Sequence, residues 1–111
     1  TDVRWVSLTN ADGAGLLAVG MPLLSVSAWP YSMADLERAT HINELPQRDF
    51  ITLNLDYKQM GVGGDDSWGA RTHPEYMLPA KPYIYRFRLR PYTPSMGTAN
   101  AMARQTMPHV Q

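Results

Sequence analysis

The chain has 111 residues, of which 44% are hydrophobic, and this is enough for one domain with a core. Ten basic and ten acidic residues cancel, which argues against nucleic acid or an anionic membrane surface as a partner. Cysteine is absent, so disulfides and thiolate metal sites are excluded. No apolar run approaches the roughly 20 residues of a membrane span, and the sequence starts without a signal peptide or a start methionine. We therefore expect a piece of a longer protein.

The first third of the sequence predicts β structure. Val3–Thr9 has a strand pattern, and the turn-forming residues 10–13 return the chain into residues 16–19 as a hairpin. After Gly20 and Pro22, a separate strand is predicted over residues 23–29.

The middle of the sequence predicts one short helix and one strand. Ser32 and Asp35 fit a capping box that opens a helix through residue 39. Residues 50–57 alternate between apolar and polar side chains, which predicts a strand with one apolar face.

The alternation is clearest in residues 83–90. One face of this predicted strand carries Tyr83, Tyr85, Phe87 and Leu89, and the other carries Arg86, Arg88 and Arg90. We interpret the arginine row as solvated or as a contact with another domain. Several segments of period two with one brief helix predict an all-β fold, an antiparallel β-sandwich. Residues 93–111 have no steady apolar period, although residues 99–105 could form a turn of helix, and we expect a divergent, flexible tail.

Residues 60–68, with the sequence MGVGGDDSW, combine a compliant backbone with a large aromatic ring. Glycines permit positive φ and close backbone approach, the carboxylates and the serine hydroxyl supply acceptors for a turn, and Trp68 offers a flat apolar face. We interpret Trp68 as a sugar-binding residue, with a core aromatic as the alternative. The residues expected to shape the loop are Gly61, Gly63, Gly64, Asp65, Asp66 and Ser67.

The remaining polar residues do not predict catalysis or metal binding. Retaining glycoside hydrolysis needs two carboxyls about 5–5.5 Å apart, and the spacing pairs none of Glu37, Glu44 and Glu75. Adjacent Asp65 and Asp66 are expected to point apart, and two carboxylates are too few to predict calcium. We therefore predict no catalytic residue and no metal site in this chain. His41 is interpreted as a capping or packing residue at the helix end, His73 and His109 lack partners at metal-ligand spacing, and Trp5 and Trp29 are expected in the core.

The run GVGGDDSW resembles a segment near the C-terminus of the large bacterial β-galactosidases of glycoside hydrolase family 2. Similar runs precede it at residues 1–5, TDVRW, and 39–46, ATHINELP, and others follow at residues 73–79 and 83–91. The resemblance covers residues 1–92 in order, whereas residues 93–111 show no family pattern.

This resemblance implies that residues 1–92 are the C-terminal portion of the last domain of such an enzyme, a supersandwich similar to galactose mutarotase. The parent would hydrolyse terminal β-D-galactosides such as lactose, with its catalytic glutamates in a central barrel and with Mg and Na bound outside this segment. Trp68 matches the tryptophan that completes the active-site pocket and stacks on the sugar. No cofactor is expected in the chain itself, and we expect the isolated chain to be inactive.

The partners that the resemblance implies are a galactoside sugar, the catalytic barrel and remaining domains of the parent, and further copies in a homo-oligomer. Nucleic acid and membrane are not expected, and the parent would belong to the cytoplasm or periplasm of a bacterium. Two alternatives stay open. One is a free-standing carbohydrate-binding, lectin-like module; the other is a structural domain that closes an assembly and buries Trp68.

Overall fold

The computed structural model describes residues 1–106. Four strands and two α-helices follow one another as β1 Val3–Thr9, β2 Gly15–Trp29, α1 Met33–Arg38, β3 Thr52–Asp56, β4 Phe87–Tyr92 and α2 Ala99–Ala103. Single turns of 3₁₀-helix lie at Ile42–Glu44, Pro74–Tyr76 and Pro94–Met96. All three strand pairings are antiparallel, which confirms the all-β prediction.

Strand β2 pairs with each of the other strands. Its first part lies between β1 and β4, while its second part, from Ser25 to Trp29, pairs with β3. The two separate strands predicted around Gly20 and Pro22 are therefore one bent strand. The bend needs glycine, because a Cβ on Gly20 would lie 2.6 Å from the backbone of Leu23.

The predicted hairpin between β1 and β2 is confirmed. The Asn10 side chain accepts hydrogen bonds from the backbone amides of Asp12 and Ala14, both at 3.0 Å. Gly13 adopts a φ of 78° in this turn and donates its amide to the Asn10 carbonyl at 3.0 Å. The turn thus sets the register in which Thr9 faces Gly15.

One face of the sheet is covered by α2. Leu17 and Val19 of β2 are buried with Ala103 of α2, and Trp5 packs against them as predicted. Arg88 lies on this covered face, because it pairs with Val19, and its guanidinium donates to the carbonyls of Ala103 at 2.7 Å and Gln105 at 2.6 Å. The interpretation of the arginine row was therefore wrong for Arg88 and also for Arg90, which donates to the Gln105 side chain at 2.8 Å, whereas Arg86 is exposed.

The opposite face carries the apolar side chains of β4. Phe87 is 38% exposed and Leu89 is 53% exposed. Strand β4 also begins at Phe87 instead of Tyr83. The ladder ends there because β2 continues into Pro22, which has no N–H to donate.

The described residues form one sheet with a helix on one face. The radius of gyration is 17.7 Å, whereas a compact domain of this length would have about 13 Å. A second sheet that would complete a sandwich is not found within residues 1–106, and the supersandwich stays a prediction.

The domain boundary between residues 92 and 93 and the flexible tail also stay predictions. The helical turn expected in this tail corresponds to α2. His109 lies outside the described residues.

A buried aspartate connects α1 to the segment that follows it. The predicted capping box is confirmed, because Asp35 accepts from the Ser32 amide at 3.0 Å while its own amide donates to the Ser32 hydroxyl at 3.1 Å. Arg48 adds contacts of 2.9 and 2.6 Å to the same carboxylate, which is 1% exposed. Hydrogen bonds from Arg48, then from Ser32, hold the pKa of the Asp35 carboxyl far below its ordinary value.

Candidate functional site

Trp68 lies at the surface, in the long connection between β3 and the 3₁₀-helix Pro74–Tyr76. It is 92% exposed, so it is not a core aromatic of the described chain. The exposed indole ring offers a flat apolar face, whose hydration is unfavourable. The loop around it, residues 60–72, is named here the Trp68 loop.

Asp66 fixes the backbone that carries this ring. One of its carboxylate oxygens accepts hydrogen bonds from the amide of Trp68 at 2.8 Å and from the amide of Ala70 at 3.2 Å. These amides, that of Trp68 first, lower the pKa of the Asp66 carboxyl. The turn is therefore tightest at the residue that carries the indole. Ser67 lies exposed between the two.

Asp65 has a different partner, although it is adjacent in sequence. Both of its carboxylate oxygens lie close to Nε2 of His73, at 2.8 and 2.9 Å. The other ring nitrogen, Nδ1, is 3.8 Å from Glu75. The sequence analysis missed this role of His73, because only the closed loop brings two residues eight positions apart into contact.

The base of the Trp68 loop is closed by Thr72 and Tyr76. The Thr72 hydroxyl lies 2.9 Å from the carbonyl oxygen of Gly61 and 3.0 Å from that of Gly63, and the Gly61 amide donates to the Tyr76 carbonyl at 2.8 Å. Thr72 did not stand out in the sequence, and Tyr76 did so only as part of the family resemblance. Their hydrogen bonds involve backbone carbonyls and an amide, whose positions no residue pattern reveals.

The three predicted loop glycines meet different requirements. A Cβ on Gly64 would lie 2.5 Å from the Ala70 carbonyl oxygen, and one on Gly61 would lie 2.6 Å from the Thr72 methyl. Gly63 has open space around it but a φ of 78°. Glycine is required at positions 61 and 64 because neighbouring atoms approach closely, and at position 63 because φ is positive.

A shallow pocket of about 480 Å³ lies beside the loop, lined in part by Gly64, Asp65, His73 and Tyr76. Trp68 does not line it. Three further pockets of the described residues also lack Trp68 in their linings, so the ring would form one wall of a binding site only with another surface opposite it.

Two further polar candidates, Glu44 and His41, have local structural partners. Glu44 accepts from the Thr40 amide at 2.9 Å, and this bond, with one from His41, lowers the pKa of its carboxyl. His41 begins the 3₁₀-helix Ile42–Glu44 and lies 3.2 Å from Glu44, so it does not cap α1, which ends at Arg38. Residues 1–106 contain no cluster of three or more histidine or carboxylate side chains able to hold a metal ion.

No helix within residues 1–106 has the length and apolar composition that crossing a membrane requires.

Comparison with known proteins assigns the chain to a family. The family described as Beta galactosidase small chain matches residues 1–89, which include the whole Trp68 loop. The beta-galactosidase of Priestia megaterium is 50% identical over 92 residues, and that of Halalkalibacterium halodurans is 45% identical over 82 residues. Beta-galactosidase BgaC of Bifidobacterium adolescentis is 44% identical over 82 residues.

These matches cover 82%, 72% and 71% of this chain but only 9%, 8% and 8% of the three relatives. The chain thus spans less than a tenth of the length of the relatives it matches. Because the family match extends over most of its residues, the chain belongs to the beta-galactosidase small chain family.

Proposed function

We propose that this chain is the C-terminal portion of the last domain of a glycoside hydrolase family 2 β-galactosidase that hydrolyses terminal β-D-galactosides such as lactose. In this proposal the catalytic carboxylates and the Mg and Na sites belong to the rest of the parent, and the chain itself supplies no cofactor site. Three relatives, each more than ten times longer than the stretch they share with the chain, are beta-galactosidases, which supports this division.

The exposed indole of Trp68 carries the proposal. Stacking its face on about 100 Å² of sugar C–H surface would contribute up to about 2.5 kcal/mol at about 25 cal/mol per Å², before the costs of binding. Since the ring stands free of the described pockets, the opposite wall of the sugar site would come from the catalytic barrel.

The uncovered sheet face supports contacts with other domains of the parent. A row of aromatic rings extends along this region, with centroid separations of 5.7 Å between Tyr57 and Tyr83, 5.6 Å between Tyr57 and Tyr85, and 5.1 Å between Tyr85 and Phe87. Burial raises the pKa of Tyr85, whose hydroxyl has no hydrogen-bond partner among the described residues. A covering domain would bury the parts of these rings that are still exposed.

The test is Trp68→Ala in the full-length protein, assayed for hydrolysis of lactose and of o-nitrophenyl β-D-galactoside. Losing the stacking surface should raise KM roughly tenfold, within the upper value that the area sets. Trp68→Phe keeps a ring and should lose less. Val62→Ala is the matched control, because Val62 is fully exposed on the same loop.

Unchanged KM in Trp68→Ala would overturn the assigned role. A full-length protein that binds galactose without hydrolysing either substrate would instead be a carbohydrate-binding module. The homo-oligomer is part of the same proposal, and sedimentation of the full-length protein tests it.

A further inference from the structure

We propose that His73 is a positioning residue that holds the Trp68 loop in the shape that presents the indole to the sugar. This inference rests on the proposed function, because it names how the sugar-binding ring is placed.

The contacts form a continuous connection from His73 to Trp68. The His73 imidazole contacts the carboxylate of Asp65, the next residue is Asp66, and Asp66 accepts the amide of Trp68. Displacing Asp65 would therefore displace the residue whose carboxylate fixes the indole-bearing backbone.

His73 lies on the anchored side of the loop. Its carbonyl accepts the Tyr76 amide at 2.9 Å in the 3₁₀-helix that starts at Pro74. The preceding residue, Thr72, is tied to the other side of the loop base through the Gly61 carbonyl. The imidazole thus extends from a braced backbone toward the tip of the loop.

The tip of the loop, residues 63–69, has few other restraints. Gly63 has nothing within 4 Å of the position of a Cβ, and neither has Gly69, which adopts a φ of 126°. The Thr72 hydroxyl lies 3.0 Å from the carbonyl oxygen of Gly63. Beyond Gly63, the described hydrogen bonds to the tip come from the two aspartate side chains, one directed to His73 and the other to local amides.

The His73 contact is too exposed to contribute much to global stability. The side chains of His73 and Asp65 are 49% and 82% exposed, and solvent screens such a pair. Its effect is local, since it favours one arrangement of the loop over others. A neutral imidazole with its proton on Nε2 donates to Asp65 as well, so the contact does not depend on a charge on the ring.

The experiment compares three variants of the full-length protein. His73→Ala removes the donor, whereas His73→Gln places an amide N–H near the position of Nε2. His41→Ala is the matched control, because His41 is also an exposed histidine that contacts a nearby carboxylate. We expect His73→Ala to raise KM roughly two- to fivefold with kcat unchanged, and His73→Gln to restore it.

Hydrogen exchange of residues 62–70 provides a readout that does not depend on activity. We expect His73→Ala to accelerate exchange there, and neither His73→Gln nor His41→Ala to do so. Unchanged exchange in His73→Ala would overturn the inference, whatever the kinetics show.

A final variant separates this inference from the proposed function. In the Trp68→Ala background, adding His73→Ala should leave KM where Trp68→Ala alone places it, because the positioned ring is gone. An equal further rise in KM would overturn the inference. If Trp68→Ala has no effect by itself, the proposed function fails, while exchange still decides whether His73 holds the loop.

Discussion

The cluster of Asp35 with Ser32 and Arg48 and the Trp68 loop are each organised by an aspartate whose pKa is lowered, but the two aspartates have different roles. Asp35 is 1% exposed, and its first cause of lowering is the Arg48 side chain, thirteen residues away. Asp66 is exposed, and its causes are backbone amides within four residues. Burial with distant partners joins separate parts of the chain, whereas exposure with local partners shapes one turn.

We therefore expect Asp35 to affect the stability of the fold and the Trp68 loop to affect function. A buried carboxylate with a guanidinium partner cannot lose either group without leaving the other poorly compensated. An exposed carboxylate that caps a turn can be lost more cheaply, since water replaces the acceptor. Substitutions in the Trp68 loop should therefore cost the fold little stability, although they change the shape of the loop.

The largest effect should follow Asp35→Ala. Removing the carboxylate leaves Arg48 and the start of α1 without their acceptor. We expect hydrogen exchange of residues 33–48 to accelerate about tenfold to a hundredfold, below the effect of a fully buried pair because the Arg48 side chain is 41% exposed. Glu37→Ala on the exposed side of the same helix is the control. Equal acceleration in both variants would break the comparison.

The next largest effect should separate two neighbouring glycines of the Trp68 loop. In Gly64→Ala the new Cβ would lie 2.5 to 2.7 Å from backbone atoms of Ala70 and Arg71, which no side-chain rotation relieves. We expect KM for lactose to rise roughly tenfold or more, against about fivefold for Gly63→Ala, where only the positive φ is costly. A larger rise in KM for Gly63→Ala would show that the positive φ at Gly63, and not the close approach at Gly64, determines the shape of the loop.

The smallest effect should be the pH dependence that Asp66 imposes on the loop. Its pKa is lower in the folded loop, so the stabilisation is present above the ordinary value of 3.8 and is lost as pH falls through the lowered value. We expect protection of the Trp68 and Ala70 amides, corrected for intrinsic exchange, to fall about two- to fivefold across this window.

Asp66→Asn provides the matched comparison for that measurement. The amide oxygen remains an acceptor but does not titrate, so protection should stay level over the same pH range. A variant that loses protection in parallel with the natural chain would assign the pH dependence to another group.

Local signals in the sequence predicted the local structure. The turn at Asn10 and Gly13 and the capping box of Ser32 and Asp35 were read correctly, because each depends on residues within four positions. The alternation of β4 was also correct. The role predicted for Arg88 was wrong, because α2 covers its face of the sheet and the end of that helix binds its guanidinium.

For the Trp68 loop, too, the sequence predicted the local features and missed the longer-range contacts. Glycines and aspartates indicated a compliant turn, and the resemblance directed attention to Trp68. The roles of His73 and Thr72 could not be read, since they arise only when the base of the loop brings Gly61 next to Thr72. Arg48 as the partner of Asp35 was missed for the same reason.

The match to the family ends at residue 89, inside β4, which continues to Tyr92. The helix that covers Leu17 and Val19 lies wholly beyond that point. A piece cut at the limit of similarity would split a strand and uncover its own core. The boundary of a shortened variant should therefore follow the packing of α2 and not the end of the family match.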